Sequence, residues 1–216
     1  MKPDPVNVLC MNNGYDIILT NDGYTACQAD QGGCFMERYI ALLRGINVGG
    51  NNKIAMPTLK AAFEEAGFNE VVTYINSGNV LFSSERCDET ELIAVCEKLI
   101  AKTFQLQIPV TVISAKDLAE AVAHRPDWWN QNEDSKHNAI FVIPPATTEE
   151  ICREIGETKP EYEQMAHYGQ VIFWSAPIAT FSRTRLSKVV STTKLLRSVT
   201  IRNANTTMKL EKLSQG

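Results

Sequence analysis

From residue 36 onward the chain spells one order of elements twice, and few folds accommodate that order. In the first pass ERYIALLRG is a short apolar strand. Pro57 suits a first helical position, Leu59, Ala62, Phe63 and Ala66 follow at helical spacing, and Gly67 supplies the stop. VVTYINSGNVLFSS reads as two strands around an Asn76-Ser77-Gly78-Asn79 turn. Asp88 with Glu91 resembles a capping box that opens a helix carrying Leu92, Val95, Cys96, Leu99 and Ile100. VTVI (110–113) is a strand, and Ser114 caps the helix KDLAEAV.

The second pass repeats this. NAIFVIP (138–144) is a strand, and Thr147 with Glu150 starts a helix carrying Ile151 and Ile155. Residues 163–176 form a hairpin turning near Gly169-Gln170. Leu186, Val189, Val190, Thr193 and Leu196 make a helical stripe, SVTIR (198–202) is a strand, and a last short helix carries Met208, Leu210 and Leu213. GNVLF (78–82) matches GQVIF (169–173) at an offset of 91, and VTV (110–112) matches VTI (199–201) at 89. Chance similarity among apolar strands is the alternative. The order β-α-β-β-α-β is the ferredoxin-like unit. The expected fold class is therefore α+β, two ferredoxin-like repeats with mainly antiparallel sheets. The first subdomain is expected over 36–123 and the second over 137–216, with 124–136 linking them.

Between the first strands (IALL at 40–43, IFVI at 140–143) the offset is 100. The first half thus carries roughly nine extra residues before its first helix, and they lie in RGINVGGNN. An insertion that the fold does not require is a place to look for function.

Charge narrows the classes of partner. Formal net charge is −4, but residues 1–35 carry −3, residues 36–176 carry −8, and residues 177–216, with eight bases against Glu211, carry +7. That excludes general nucleic-acid affinity and leaves a basic C-terminal face. With 216 residues, 44% hydrophobic, the chain suffices for a sizeable core. It has no apolar run of about 18 residues and no secretory leader pattern, so a cytoplasmic protein with no membrane partner is expected. Cys10, Cys27, Cys34, Cys87, Cys96 and Cys152 form no C-x-x-C pair, and His124, His137 and His167 stand apart. No metal site, thiol chemistry or cofactor is expected, and these residues read as structural.

The candidate site residues fall in four groups. Arg44 with Asn47, Gly49 and Gly50 forms either an anion cradle near a helix start or a flexible turn with a surface arginine. Ser77 and Asn79 offer a hydroxyl and an amide at a bend, or plain turn chemistry. Arg183 and Arg185 open a helix on whose wheel Arg183 and Lys194 share a line, about 16 Å apart at 1.5 Å per residue; the face is a phosphate stripe or simply solvated. Arg202, Asn203 and Thr206 gather at a strand end, where Asn205 caps the next helix or the cluster holds a carboxylate or phosphate. Trp128 and Trp129 stack on a base or pack the linker.

LRGINVGG, YINSGNVLF, the WW-to-HNAIFV stretch, a Ser-Arg helix start and TIRNANTTMKL together resemble the bacterial family called domain of unknown function 1697. The resemblance covers 36–213. It implies a cytosolic α+β protein with the ferredoxin-like unit repeated, and brings no activity, substrate or cofactor. Its characteristic positions map to Arg44, Asn47, Gly49, Gly50, Ser77, Gly78, Asn79, Arg202, Asn203 and Thr206. Relatives often have Trp where this chain has Ala204, and Lys where it has Arg185. Residues 1–35 lie outside the resemblance and read as an upstream-extended start or an N-terminal β-hairpin arm.

The leading expectation is a binding protein for an anionic ligand (a nucleotide, phosphate or nucleic acid) using Arg44, Arg183, Arg185 and Arg202. The alternatives are an enzyme acting on a small phosphorylated or carboxylated substrate, and a protein-interaction scaffold with no chemistry. Against the enzyme, no histidine or paired carboxylate falls inside the motifs.

Overall fold

Alternating apolar side chains give a strand two faces, and the inner strands of this chain bury both. The computed structural model describes residues 8–11, 15–20, 23–27, 36–85, 88–192 and 194–215, so Cys34, Cys87 and Thr193 lie outside the described residues. The chain divides into two units, Met1–Phe35 and Met36–Gly216. In the first, strands β1 (Val8–Met11), β2 (Tyr15–Thr20) and β3 (Gly23–Cys27) pair antiparallel in chain order.

The second unit begins with β4 (Glu37–Leu43), α1 (Met56–Glu65), β5 (Asn69–Tyr74), β6 (Asn79–Ser84), α2 (Glu89–Phe104), β7 (Val110–Ser114) and α3 (Ala115–Ala123). It continues with β8 (Ser135–Val142), α4 (Thr148–Ile155), β9 (Gln164–Tyr168), β10 (Val171–Pro177), α5 (Arg185–Thr192), β11 (Val199–Asn203) and α6 (Ala204–Ser214). The two sheets run β5-β6-β4-β7 and β9-β10-β8-β11, every neighbour antiparallel. In each, the first strand is flanked by the third and fourth. That is the ferredoxin-like order, written twice, with one more helix ending each pass.

Three apolar layers follow from the alternation. Tyr39, Ala41 and Leu43 pack with Leu59 and Phe63 of α1 and Leu92 and Ile100 of α2. Ile140, Val142 and Trp174 pack with Ile151 and Ile155 of α4 and Leu186 of α5. Between them, Ile40, Leu42 and Leu81 of the first sheet share a core with Phe141, Val171 and Phe173 of the second. Leu118 and Val122 of α3, Ala204 and Leu210 of α6, and Trp129 fill the same layer. Neither sheet covers its inner face alone. Trp129 is fully buried edge-on to Phe173 and donates from Nε1 to the Asn138 carbonyl, so it packs the segment between the repeats.

Helix starts follow the expected chemistry with two corrections. Asp88, Ser114 and the Thr147–Glu150 capping box hold the first turns of α2, α3 and α4. Asn203, not Asn205, caps α6, because β11 runs directly into the helix and the Asn203 amide oxygen accepts from Thr206 N. The expected stripe to Leu196 is cut at Thr192, with a 3-10 helix on either side (Ile178–Arg183 and Lys194–Arg197). Thr184 breaks the first: its hydroxyl donates to the Phe181 carbonyl and accepts from Ser187 N. Arg183 and Lys194 therefore belong to different helices. No helix among the described residues is long and apolar enough to cross a membrane.

Candidate functional site

The segment between strand one and helix one has twelve residues in the first repeat and five in the second. Asn47 organises the longer one. Its side chain exchanges two hydrogen bonds with the Ile54 backbone, at 2.9 Å each, and donates to the Asn76 carbonyl at 3.0 Å. Its φ of 54° is the left-handed conformation that asparagine tolerates. Asn47 N–H meets the Asn52 carbonyl, so residues 48–51 form a closed, exposed tip containing Gly49 and Gly50. Beside it Asn47, Gly50, Lys53, Ala55, Met56 and Asn76 help line a cavity of about 420 Å³ at the start of α1. No side chain caps that helix.

Arg202 lies under the same end of the first sheet. Only 6% exposed, it donates from Nε to Asn79 Oδ1, and from Nη1 to Thr200 Oγ1 and the Ile201 carbonyl. Nη2 faces the carbonyls of Leu43, Ser77 and Gly78 at 2.9, 3.1 and 3.1 Å. Asn79, wholly buried, completes the knot by donating to the Tyr74 carbonyl and Ser77 Oγ. Gly78 has φ +80°, and a Cβ there would stand 2.7 Å from Leu43 Cβ. All six partners of the guanidinium are neutral oxygens, and burial pulls its pKa down to about 10.

Arg44 follows Leu43 directly, its N–H bonded to the Pro109 carbonyl. Its pKa is lowered by partial burial and then by the positive charge of Arg197. Among the described residues neither Arg44 nor Arg197 forms an ion pair. Arg44 and Arg197 thus face each other as like charges with no ion pair among the described residues, and the buried Arg202 guanidinium bonds the Leu43 carbonyl just before Arg44. Arg197, in a 3-10 turn after α5, is the member missed from sequence; the +7 charge of the last forty residues was its only signal.

A family model described as "Protein of unknown function (DUF1697)" matches residues 36–173, more than half of the chain. The chain belongs to the DUF1697 family. Comparison with curated proteins finds no match. Among solved structures this DUF1697 chain is similar to the conserved bacterial protein SP0830 from Streptococcus pneumoniae. The two are 28% identical with a TM-score of 0.74, over 83% of this chain and 99% of that one.

The remaining candidates of this DUF1697 protein sit elsewhere. Arg183 lies over the Tyr162 ring at 5.7 Å, and Arg185 donates from Nε to the Ile155 carbonyl at the end of α4. Buried Glu163, unremarked in the sequence, accepts from Trp174 Nε1 and from the Arg185 and Leu186 N–H groups, so it holds the start of α5. Asn203 and Thr206 form the α6 cap, and Asn203 borders a separate cavity of about 720 Å³. The sequence motifs therefore converge in part: Arg44, Asn47, Ser77, Asn79 and Arg202 gather at one end, while Arg183, Arg185 and Asn203 do not join them. Cys96 is buried, its thiol pushed up to about 12, which suits a small apolar side chain rather than a nucleophile.

Proposed function

We propose that this protein binds an anionic ligand (a nucleotide, a phosphate or a nucleic acid) where Arg44 and Arg197 meet beside the Gly49-Gly50 loop. The single observation that carries this reading is that Arg44 lies within reach of the positive charge of Arg197 and neither forms an ion pair among the described residues. Like charges brought together cost energy that an anion relieves. In this reading Arg44 and Arg197 touch the ligand and the loop's backbone amides assist. Asn47, Ser77, Asn79 and Arg202 position them. Arg183, Arg185, Asn203 and Thr206 contribute through the fold, given the bonds they already make. The same proposal divides the scaffold into subdomains 36–123 and 137–216 around a 124–136 linker, leaves 1–35 as an extension, and places the protein in the cytoplasm.

Thermal-shift measurements with inorganic phosphate, nucleotides and short single-stranded oligonucleotides test it. At about 100 times Kd, one class should stabilise the fold by about 2.7 kcal/mol. Equal stabilisation of an Arg44→Gln/Arg197→Gln variant would place the ligand elsewhere. No response from any anion favours the interaction-scaffold reading.

A further inference from the structure

We infer that Ser175 and His137 form a nucleophile–base pair, set to take an acyl group from an uncharged carboxylic ester in a recess lined by neither Arg44 nor Arg197. The two residues stand directly opposite each other on β10 and β8. Ser175 Oγ is 2.6 Å from His137 Nδ1, and His137 Nε2 is 2.9 Å from the Asn132 carbonyl. A carbonyl only accepts, so in the neutral imidazole the proton lies on Nε2 and the Nδ1 lone pair faces the serine. The Ser175 hydroxyl therefore donates to Nδ1. That is the polarity a general base needs to activate a serine, with a backbone carbonyl as the group that orients the ring.

The strand position does not itself require this pair. The matching register in the first repeat sets Glu37 opposite Ser84, and there the carboxylate accepts from the Tyr39 hydroxyl. Ser175 and His137 are 5% and 7% exposed, and what each exposes faces a cavity of about 260 Å³ walled also by Trp128, Gln131, Pro160 and Tyr162. Gln131, Asn132, Ser135 and His137 border the neighbouring cavity of about 720 Å³ as well, so the two recesses adjoin. Asn130, Asn138, Asn203 and Asn205 give the larger one a carboxamide wall. It suits a leaving group rich in hydroxyl or amide functions. Glu161 and Glu163 at the smaller recess disfavour an anionic acyl group.

In acylation the Ser175 oxygen bonds to the ester carbonyl carbon, and its proton passes to Nδ1. The bond to the alkoxy oxygen then breaks, and that oxygen leaves as the alcohol with the proton from Nδ1. Water attacks the acyl-serine, gives a proton to Nδ1 and releases the carboxylic acid, and the proton returns to Ser175. The Gln131 carboxamide, exposed at the edge of both recesses and without a hydrogen-bond partner among the described residues, is assigned as the donor to the carbonyl oxygen.

The test is to treat the full chain with an alkyl fluorophosphonate, and separately with p-nitrophenyl acetate, and to map the adduct by peptide mass spectrometry. One adduct on Ser175 is expected, absent in Ser175→Ala, formed about 100-fold or more slowly in His137→Gln, and several-fold more slowly in Gln131→Ala. A wild-type protein with no adduct on Ser175 overturns the proposal, whether or not the variants fold. So does a folded His137→Gln variant labelled at the wild-type rate.

Discussion

Arg202 carries a full positive charge into a place where six neutral oxygens and no carboxylate receive it. Four of those oxygens belong to residues 123 to 159 positions away, so one side chain joins the two repeats. Replacing it with methionine takes their donor from the Leu43 and Ser77 carbonyls and Asn79 Oδ1, while the Gly78 carbonyl keeps the Leu43 N–H. Urea unfolding of Arg202→Met should show a loss of about 3 kcal/mol or more. Arg202→Lys should recover little of it, because an ammonium lacks the planar fork. Gly78→Ala places a methyl against Leu43 at φ +80° and should cost about 2 kcal/mol or more in the same measurement. The sequence motifs pointed to these residues as chemistry. Their burial was not legible, since backbone carbonyls leave no mark on a sequence and the partners lie in the other repeat.

Most elements were legible because their signals are local. Asp88, Ser114 and the Thr147–Glu150 box sit where their helices begin. The start of β8 was not, because Ser135, Lys136 and His137 are polar and their strand character comes from pairing with β10. At the first turn of α2, burial raises the Glu89 carboxyl above its ordinary 4.5, opposed by bonds from the Gln170 amide and Ser114 N–H, with Asp117 and Glu37 raising it further. The folded state therefore holds this proton more tightly than the unfolded one. The stabilising contribution is fully present below 4.5 and is lost as pH rises through the raised value. Glu89→Gln, which mimics the protonated group, should melt above wild type at pH 7, and the difference should close as pH falls below 4.5. A Glu89→Gln protein less stable at pH 7 contradicts this. The loop tip 48–51 makes the opposite case: replacing it with a two-residue turn should leave the melting midpoint nearly unchanged, since the Asn47–Asn52 closure lies below it.

Over the whole of residues 36–216, the repeated order of elements made the ferredoxin-like topology readable, while the layer between the sheets stayed hidden. β6 is buried at every position, so its pattern does not say which face meets α2 and which meets the other repeat. That shared layer, with Arg202 beside it, predicts one cooperative transition. Indole fluorescence, which follows Trp128 and Trp129 at the shared core and Trp174 in the second repeat's own core, should change in urea together with far-ultraviolet circular dichroism. Separated transitions would show that the repeats hold themselves independently. The approach of Arg44 to Arg197 at one end of this body leads to the proposed anion site, and titration with a fluorescent single-stranded oligonucleotide and a labelled nucleotide at rising salt tests it most directly. The wild-type protein should bind at least one of the two, with log affinity falling linearly in log salt concentration, and Arg44→Gln/Arg197→Gln should bind about tenfold or more weakly at an unchanged melting midpoint. Absence of binding at low salt, or equal binding by the variant, would contradict the account.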